Sequence, residues 1–241
     1  MAAMTDAFED LSHALRVLLE PDLKANQGLL LYDRAEAVGN IETALAAVLN
    51  SFHSLYDATT KMEHGGSLDW YAEPELSTVL VLRNARHHNH AKKIRTLYSY
   101  YVQTAKVIGN AEMFTLVDFP SGEEGGDTFD VYLSWDDLKL LFSMPEAATR
   151  IRPSVAQSIQ KYLGTANFSA FAKNDQLTED RVFFNVVPLL VNAAAKLTPV
   201  IKHLITPRSS EAQFYLSLFK DLIPCDISNP EVISGPIAYV P

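Results

Sequence analysis

The sequence of 241 residues has one cysteine, Cys225, and no run of 18 apolar residues. A lone cysteine excludes an intrachain disulfide and favours a reducing compartment. The lack of a long apolar run argues against a membrane span. The first residues also lack the basic start and apolar segment of a secretory signal. We therefore expect a cytoplasmic protein without a membrane partner. Because no general base is evident beside it, Cys225 is interpreted as a packed thiol rather than a nucleophile.

Acidic residues are missing from one stretch of an otherwise acidic chain. The protein has 29 Asp and Glu against 20 Lys and Arg, a net charge of -9, which excludes a general nucleic-acid binder. From Leu76 to Ala111, here called the basic window, there is no Asp or Glu. An anionic partner and a solvated basic face that balances acidic neighbours explain this window equally well. It contains six basic residues and three histidines: Arg83, Arg86, Lys92, Lys93, Arg95, Lys106, His87, His88 and His90.

Apolar residues recur at intervals of three and four along most of the chain, which predicts a mainly helical single domain over residues 1–241. The expected helices begin and end with proline, glycine or capping residues. Helix-breaking Pro21 is expected to end the first helix, and the third is expected to run from Pro74 to about Ile108. The predicted helices are 5–19, 33–61, 74–108, 134–142, 153–163, 178–203 and 210–222.

The pattern changes between residues 113 and 133. Met113 to Phe119 is compact and apolar, and Thr128 to Leu133 alternates between apolar and polar residues, which is typical of a strand. The eight residues between these segments contain Pro120 and three glycines, which indicate a turn. We therefore predict a β-hairpin inserted at about 113–133 into a helical protein. The same glycines are flanked by acidic residues and lack a following lysine, so they do not form a phosphate-binding loop.

The segment with the highest density of potential catalytic side chains is Arg83-Asn84-Ala85-Arg86-His87-His88-Asn89-His90. It resembles the ribonuclease motif of the HEPN family, helical bundles that carry an Arg, a polar residue directly after it, and a His five to seven residues past the Arg. Arg83, Asn84 and His88 fit the shorter gap, and Arg83 with His90 fits the longer one. The resemblance covers the motif and its helical setting, about residues 33–108, with the hairpin and a C-terminal helical extension in 110–241 outside it.

The resemblance implies a metal-independent endoribonuclease that needs no cofactor, in a toxin–antitoxin or defence setting. Histidine titrates near neutral pH and can transfer the proton of the RNA 2′-hydroxyl. Arginine is always charged and can stabilise the phosphorane. The catalytic candidates are Arg83, Asn84, His88 and His90, and the substrate-binding candidates are Arg86, Lys92 and Lys93. The implied partners are RNA or a nucleotide, a second copy in a homodimer, and a partner protein or antitoxin.

Several alternatives stay open at this point. A regular helix places Arg83 and His90 on one face, whereas a bend or first turn at Arg83 favours His88, which we rank first. A metal site would need His87, His88 and His90 with His64 or Asp69, but the spacing is poor. Tyr98, Tyr100 and Tyr101 could stack on bases, but their helical spacing favours packing in the core or in a dimer interface. The alternative function is a non-catalytic helical module that binds nucleotides or proteins.

Overall fold

The fold is described from a computed structural model, for residues 2–29, 32–61, 68–88, 94–104, 112–121 and 130–237. It is mainly helical, as predicted. The α-helices are α1 (Ala2–Lys24), α2 (Arg34–Thr60), α3 (Pro74–His88), α4 (Leu97–Thr104), α5 (Trp135–Ser143), α6 (Glu146–Thr149), α7 (Pro153–Tyr162), α8 (Phe168–Asn174), α9 (Val187–Ile201) and α10 (Ser210–Asp221). The strands are β1 (Glu112–Asp118), β2 (Tyr132–Ser134), β3 (Val182–Asn185) and β4 (Glu231–Ile237). Within this described part, no helix combines the length and apolarity needed to cross a membrane.

The first three helices form a packed layer. The predicted stop of the first helix at Pro21 is wrong, because α1 continues to Lys24 and is followed by a π-helical turn, Ala25–Leu29. Pro21 is buried, so its packing helps to offset the lost backbone hydrogen bond. The predicted bounds of α2 are confirmed, and Asp33 caps its start by accepting a hydrogen bond from the Glu36 N–H at 2.9 Å. Helix α3 packs against α2, α7 and α9.

The expected single helix from Pro74 to Ile108 is wrong, since α3 and α4 are separate helices. Between them, Thr96 forms an isolated antiparallel bridge with Leu133. The backbone N–H of Arg95 donates to the Asp137 carboxylate at 3.0 Å. These two backbone positions therefore bond to the sheet and to α5 instead of continuing a helix. The predicted cap at residues 109–110 lies outside the described residues.

A four-stranded mixed sheet replaces the predicted β-hairpin. Its strand order is β2-β3-β1-β4, so β1 and β2 do not pair with each other. Strand β3 lies between them, parallel to β1 with Leu116 opposite Phe183, and antiparallel to β2 with Leu133 opposite Phe184. Strand β4 extends the sheet by antiparallel pairing with β1. The supposed helical extension after residue 110 thus contributes all four strands.

The predicted helix from Thr178 to His203 is also wrong over its first part. Val182 to Asn185 form strand β3, and α9 begins only at Val187. Alternate side chains of the sheet enter two apolar clusters: Val182 and Phe184 pack into the main core, whereas Phe183 packs with Tyr100 and Phe114 beneath α4. The short helices α6 and α8 were not predicted. The bounds of α5, α7 and α10 agree with prediction to within about a residue.

Candidate functional site

Residues 83–88 of the candidate catalytic segment form the last turns of α3. Leu76, Leu80 and the neighbouring apolar residues are buried and fix the orientation of this helix in the core. Arg83 and Asn84 are half-buried at its surface, and His87 is exposed. His88 is the last residue of α3, but its side chain lies outside the described structure, as do His90, Lys92 and Lys93.

Two neutral amides hold the Arg83 side chain. Its Nε donates to Oδ1 of Asn50 on α2 at 3.2 Å, and one terminal nitrogen donates to Oδ1 of Asn84 at 3.1 Å. Among the described residues, no carboxylate forms an ion pair with Arg83. Amide oxygens orient a guanidinium without cancelling its charge. Arg83 therefore presents a positioned positive charge that no carboxylate in the described part of the chain neutralises.

Arg86, in contrast to Arg83, is neutralised by a carboxylate. Its guanidinium forms an ion pair with Glu42 on α2 and donates to the Ile94 carbonyl at 2.7 Å, and its side chain is only 4% exposed. The Thr96 hydroxyl donates to the same carboxylate at 2.9 Å. A contact between Arg86 and a substrate would require this buried ion pair to open. Arg86, predicted as a substrate-binding residue, thus joins α2 to the segment before α4, and we do not carry it forward as a ligand contact.

Arg95 is the second neutralised arginine of the basic window. Its Nε and one terminal nitrogen each donate to the Asp137 carboxylate at 2.8 Å. These hydrogen bonds raise the pKa of the Arg95 guanidinium. Asp137 is 1% exposed, and the Arg95 guanidinium lies 4.7 Å from the centre of the Tyr100 ring. Asp137 also lies in the first turn of α5, where the helix dipole favours a negative charge.

Asn50, Glu42 and Asp137 are the partners that the sequence analysis missed. Arg86 and Glu42 are 44 residues apart, and Arg95 and Asp137 are 42 apart. No local motif marks such long-range partners. The basic window therefore carries less uncompensated positive charge in the folded protein than its sequence suggests, because acids from α2 and α5 pair with two of its three arginines.

Helix α3 runs without interruption through Arg83. A bend at Arg83 would have favoured His88 as its partner, and the structure has no bend at this position. On a regular helix, the backbone positions of Arg83 and His88 are about 140° apart around the axis. His87, which is not among the catalytic candidates from the sequence, is four residues from Arg83, and its backbone position lies about 40° from that of Arg83 around the axis. Convergence of Arg83 and His88 within one helix is therefore disfavoured.

The remaining candidate residues have structural explanations or lie outside the description. Tyr98 and Tyr100 are each 6% exposed, which agrees with core packing rather than base stacking, and the side chain of Tyr101 is not described. Cys225 is 6% exposed, and burial raises the pKa of its thiol, as expected for a packed cysteine. Within the described ranges, no three His, Cys, Asp or Glu side chains are grouped to hold a metal ion.

Comparisons with known proteins leave the family open. No protein-family model, no curated protein and no solved structure matches this chain.

Proposed function

We propose that the protein is a metal-independent endoribonuclease of HEPN type that anchors an RNA phosphate on Arg83. The observation that carries this proposal is the contrast among the three arginines of the basic window. Arg86 and Arg95 are neutralised by Glu42 and Asp137, whereas Arg83 is held by the amides of Asn50 and Asn84. A guanidinium positioned by neutral groups is suited to a phosphate, whose oxygens accept its paired donors.

The proposed reaction uses the nucleophile of the RNA itself. A histidine of the segment 87–90 removes the proton of the 2′-hydroxyl, and the 2′-oxygen attacks the adjacent phosphorus. The bond between phosphorus and the 5′-oxygen breaks, and that oxygen takes up a proton. The products are a 2′,3′-cyclic phosphate and a free 5′-hydroxyl. Arg83 stabilises the charge that develops on the nonbridging oxygens.

A second copy of the chain would complete the site. His88 and Arg83 diverge on one regular helix, so a shared cleft is better formed by Arg83 of one protomer and a histidine of the other. Such an arrangement agrees with the homodimer that the resemblance implies. His88 remains the first candidate and His90 the second, and His87 now joins them because it shares a helix face with Arg83.

The proposal is tested by cleavage of single-stranded RNA in EDTA, with detection of the cyclic phosphate end by mass spectrometry. Arg83→Ala is expected to lower the cleavage rate by at least about 100-fold, because the loss of one transition-state donor has this effect in other enzymes. Arg16→Ala on α1 is the matched control, since Arg16 is an exposed arginine that pairs weakly with Glu211 at 3.9 Å. Single alanine variants of His87, His88 and His90 identify the acting histidine.

Two results would contradict the proposal. One is cleavage by Arg83→Ala at the wild-type rate. The other is cleavage that persists in all three histidine variants and in the variant that combines them. The 2′-hydroxyl requirement gives a further control, because a DNA oligonucleotide of the same sequence should remain intact.

The second candidate function is a non-catalytic nucleotide- or protein-binding module. Exposed apolar side chains on and after α10 favour a protein partner: Phe214 is 61% exposed, Leu218 38% and Ile223 58%. Large exposed apolar groups of this kind are typical of interaction surfaces. This function predicts no RNA turnover and no effect of the histidine variants on binding. RNA binding without cleavage would show that the module binds nucleic acid and is not a nuclease.

A further inference from the structure

Strand β4 forms one edge of the sheet, and among the described strands it pairs only with β1. The opposite edge, β2, is partly closed by the segment before α4. There, Thr96 forms its bridge with Leu133, and the Ser134 N–H donates to the Arg95 carbonyl at 2.9 Å. The outer side of β4 has no such cover in the described part of the chain. An open edge presents backbone N–H and C=O groups that can pair with another strand.

Two observations show which backbone groups of β4 face outwards. Pro236 lies opposite Met113 and has no N–H, so this pair is of the type that exchanges no hydrogen bonds. Ser234 lies opposite Thr115 with its hydroxyl oxygen 3.4 Å from that of Thr115, as expected for the same type of pair, in which side chains are closer. Because the two pair types alternate, the backbone groups of Val232, Ser234 and Pro236 point away from β1.

The side chains of β4 are mostly apolar and exposed on both faces of the sheet. Val232 is 37% exposed and Ile233 57%, and Pro236 is exposed as well. On the same face as Ile233, a Cβ added at Gly235 would meet no described atom within 4 Å. Edge strands that avoid pairing often carry charged side chains, whereas β4 has one charge, Glu231, at its first residue.

We infer that β4 pairs with β4 of a second copy of this chain, antiparallel and about a two-fold axis at Ser234. In this register the two Ser234 residues exchange backbone hydrogen bonds. The Val232 N–H of each copy donates to the Pro236 carbonyl of the other. Pro236 has no N–H to return, so each of these outer pairs forms a single bond. The two sheets then become one continuous sheet across the dimer.

The side chains of β4 complement each other in this register. Ile233 of one copy lies opposite Gly235 of the other, so an exposed isoleucine covers an open position. Val232 lies opposite Pro236, which buries two exposed apolar side chains. The charge fits too, because antiparallel pairing keeps the two Glu231 carboxylates about 20 Å apart, whereas parallel pairing would place them side by side. A second copy therefore matches this edge in hydrogen bonding, shape and charge.

Disulfide trapping of the full-length protein tests the register. Ser234→Cys places two thiols at the axis, where the Cα atoms of a hydrogen-bonded pair are about 5.5 Å apart, within reach of a disulfide. Val232→Cys is the control, because this register separates the two copies of residue 232 by about 13 Å. With diamide as oxidant, Ser234→Cys is expected to form a covalent dimer and Val232→Cys to stay monomeric on a non-reducing gel. Cys225 is buried and is not expected to cross-link.

Sedimentation velocity over a range of protein concentrations tests the surface. A single short strand covers less area than a standard interface, so the wild-type dimer is expected to depend on concentration. Ile233→Lys is expected to raise its dissociation constant by about tenfold or more, because it adds a charge to the edge and removes the contact with Gly235. Phe214→Lys on α10 is the matched control, since Phe214 is 61% exposed and lies outside the sheet. It is expected to dimerise like the wild type.

The inference is overturned if the wild type stays monomeric at every concentration, which is also the result expected if this edge binds a peptide of another protein. Equal cross-linking of Ser234→Cys and Val232→Cys would overturn the register. Loss of the dimer in Phe214→Lys but not in Ile233→Lys would assign the interface to α10 instead. None of these outcomes depends on RNA cleavage. A dimer trapped through residue 234 in a protein that leaves RNA intact would support this interface and contradict the proposed function.

Discussion

The Arg86 guanidinium and the Glu42 carboxylate form a buried ion pair that joins α3 to α2. Their side chains are 4% and 12% exposed, and Thr96 adds a hydrogen bond to the carboxylate at 2.9 Å. One Arg86 nitrogen, Nε, is buried and has no hydrogen-bond acceptor among the described residues. The Arg86 guanidinium therefore depends strongly on its contact with Glu42.

The first prediction concerns the stability that depends on this pair. Glu42→Gln is expected to lower the free energy of unfolding by about 3 to 5 kcal/mol, because it leaves Arg86 buried without a counter-charge. Urea denaturation followed by circular dichroism measures the loss. The double variant Glu42→Leu with Arg86→Met should recover much of the stability, since it removes both charges. A loss below about 1 kcal/mol in Glu42→Gln would show that the pair is weakly coupled.

The second prediction concerns acid stability at the junction of α1 and α10. Burial tends to raise the pKa of Glu9, but hydrogen bonds from the Ser209 hydroxyl and the N–H groups of Arg208 and Ser209 outweigh it and lower the pKa below 4.5. A lowered folded-state pKa gives stability that is present above about pH 4.5 and is lost as the pH falls through the folded-state value. Glu9→Gln cannot titrate.

The measurement is urea denaturation of the wild type and Glu9→Gln from neutral pH down to about pH 3. The wild type should be more stable at neutral pH, and the difference between the two proteins should narrow below about pH 4.5. A difference that stays constant over this range would mean that Glu9 does not link folding to protonation.

The third prediction rests on the proposed function and uses the neutral amide that holds Arg83. Asn50→Asp places a carboxylate at the position that now accepts the Arg83 Nε hydrogen bond. Neutralisation of Arg83 should weaken binding of single-stranded RNA by about tenfold or more. The free energy of unfolding should change by less than about 1 kcal/mol, because the new pair is partly exposed. Fluorescence anisotropy and urea denaturation measure the two quantities.

Asn174→Asp provides the matched control for this charge change. Asn174 ends α8 and is exposed, so the substitution adds one negative charge away from Arg83. If both variants lose RNA affinity equally, net charge and not Arg83 explains the effect. If Asn50→Asp binds single-stranded RNA as tightly as the wild type, Arg83 does not contact the RNA.

The fourth prediction concerns the side-chain clamp on the backbone of Cys225. Asn192 is 4% exposed and bonds to both the N–H and the carbonyl of Cys225. Asn192→Ala leaves these buried groups without partners and is expected to destabilise the protein by about 2 to 4 kcal/mol. Cys225→Ala is the control, with an expected loss of about 1 kcal/mol, because the backbone bonds remain. Similar losses in the two variants would argue against the clamp.

Helices with strong local signals were predicted well from the sequence. Asp33 before the apolar stripe of α2 and Ser134 before the acidic first turn of α5 both act as N-caps in the structure. Capping and 3.6-residue periodicity depend on neighbours within one or two turns, so the sequence contains the whole signal. The predicted strand over 113–119 also agrees with β1.

The prediction failed where pairing between distant segments decides the structure. Val182 to Asn185 form a fully buried central strand, and such an apolar run cannot be distinguished from a buried helix by periodicity. Because β3 inserts between β1 and β2, the expected hairpin does not form. The pairing partners of β3 are more than 45 residues away along the chain.

The sequence by itself determined the helical character of the protein and the position of its acid-free segment, because both are local properties of the chain. Only the tertiary structure decided which of the three arginines in that segment pair with a described carboxylate. It brings Glu42 to Arg86 and Asp137 to Arg95, and it surrounds Arg83 with amides instead. Electrostatic interactions act through space, so residues far apart in sequence determine whether an arginine is neutralised or available for a ligand.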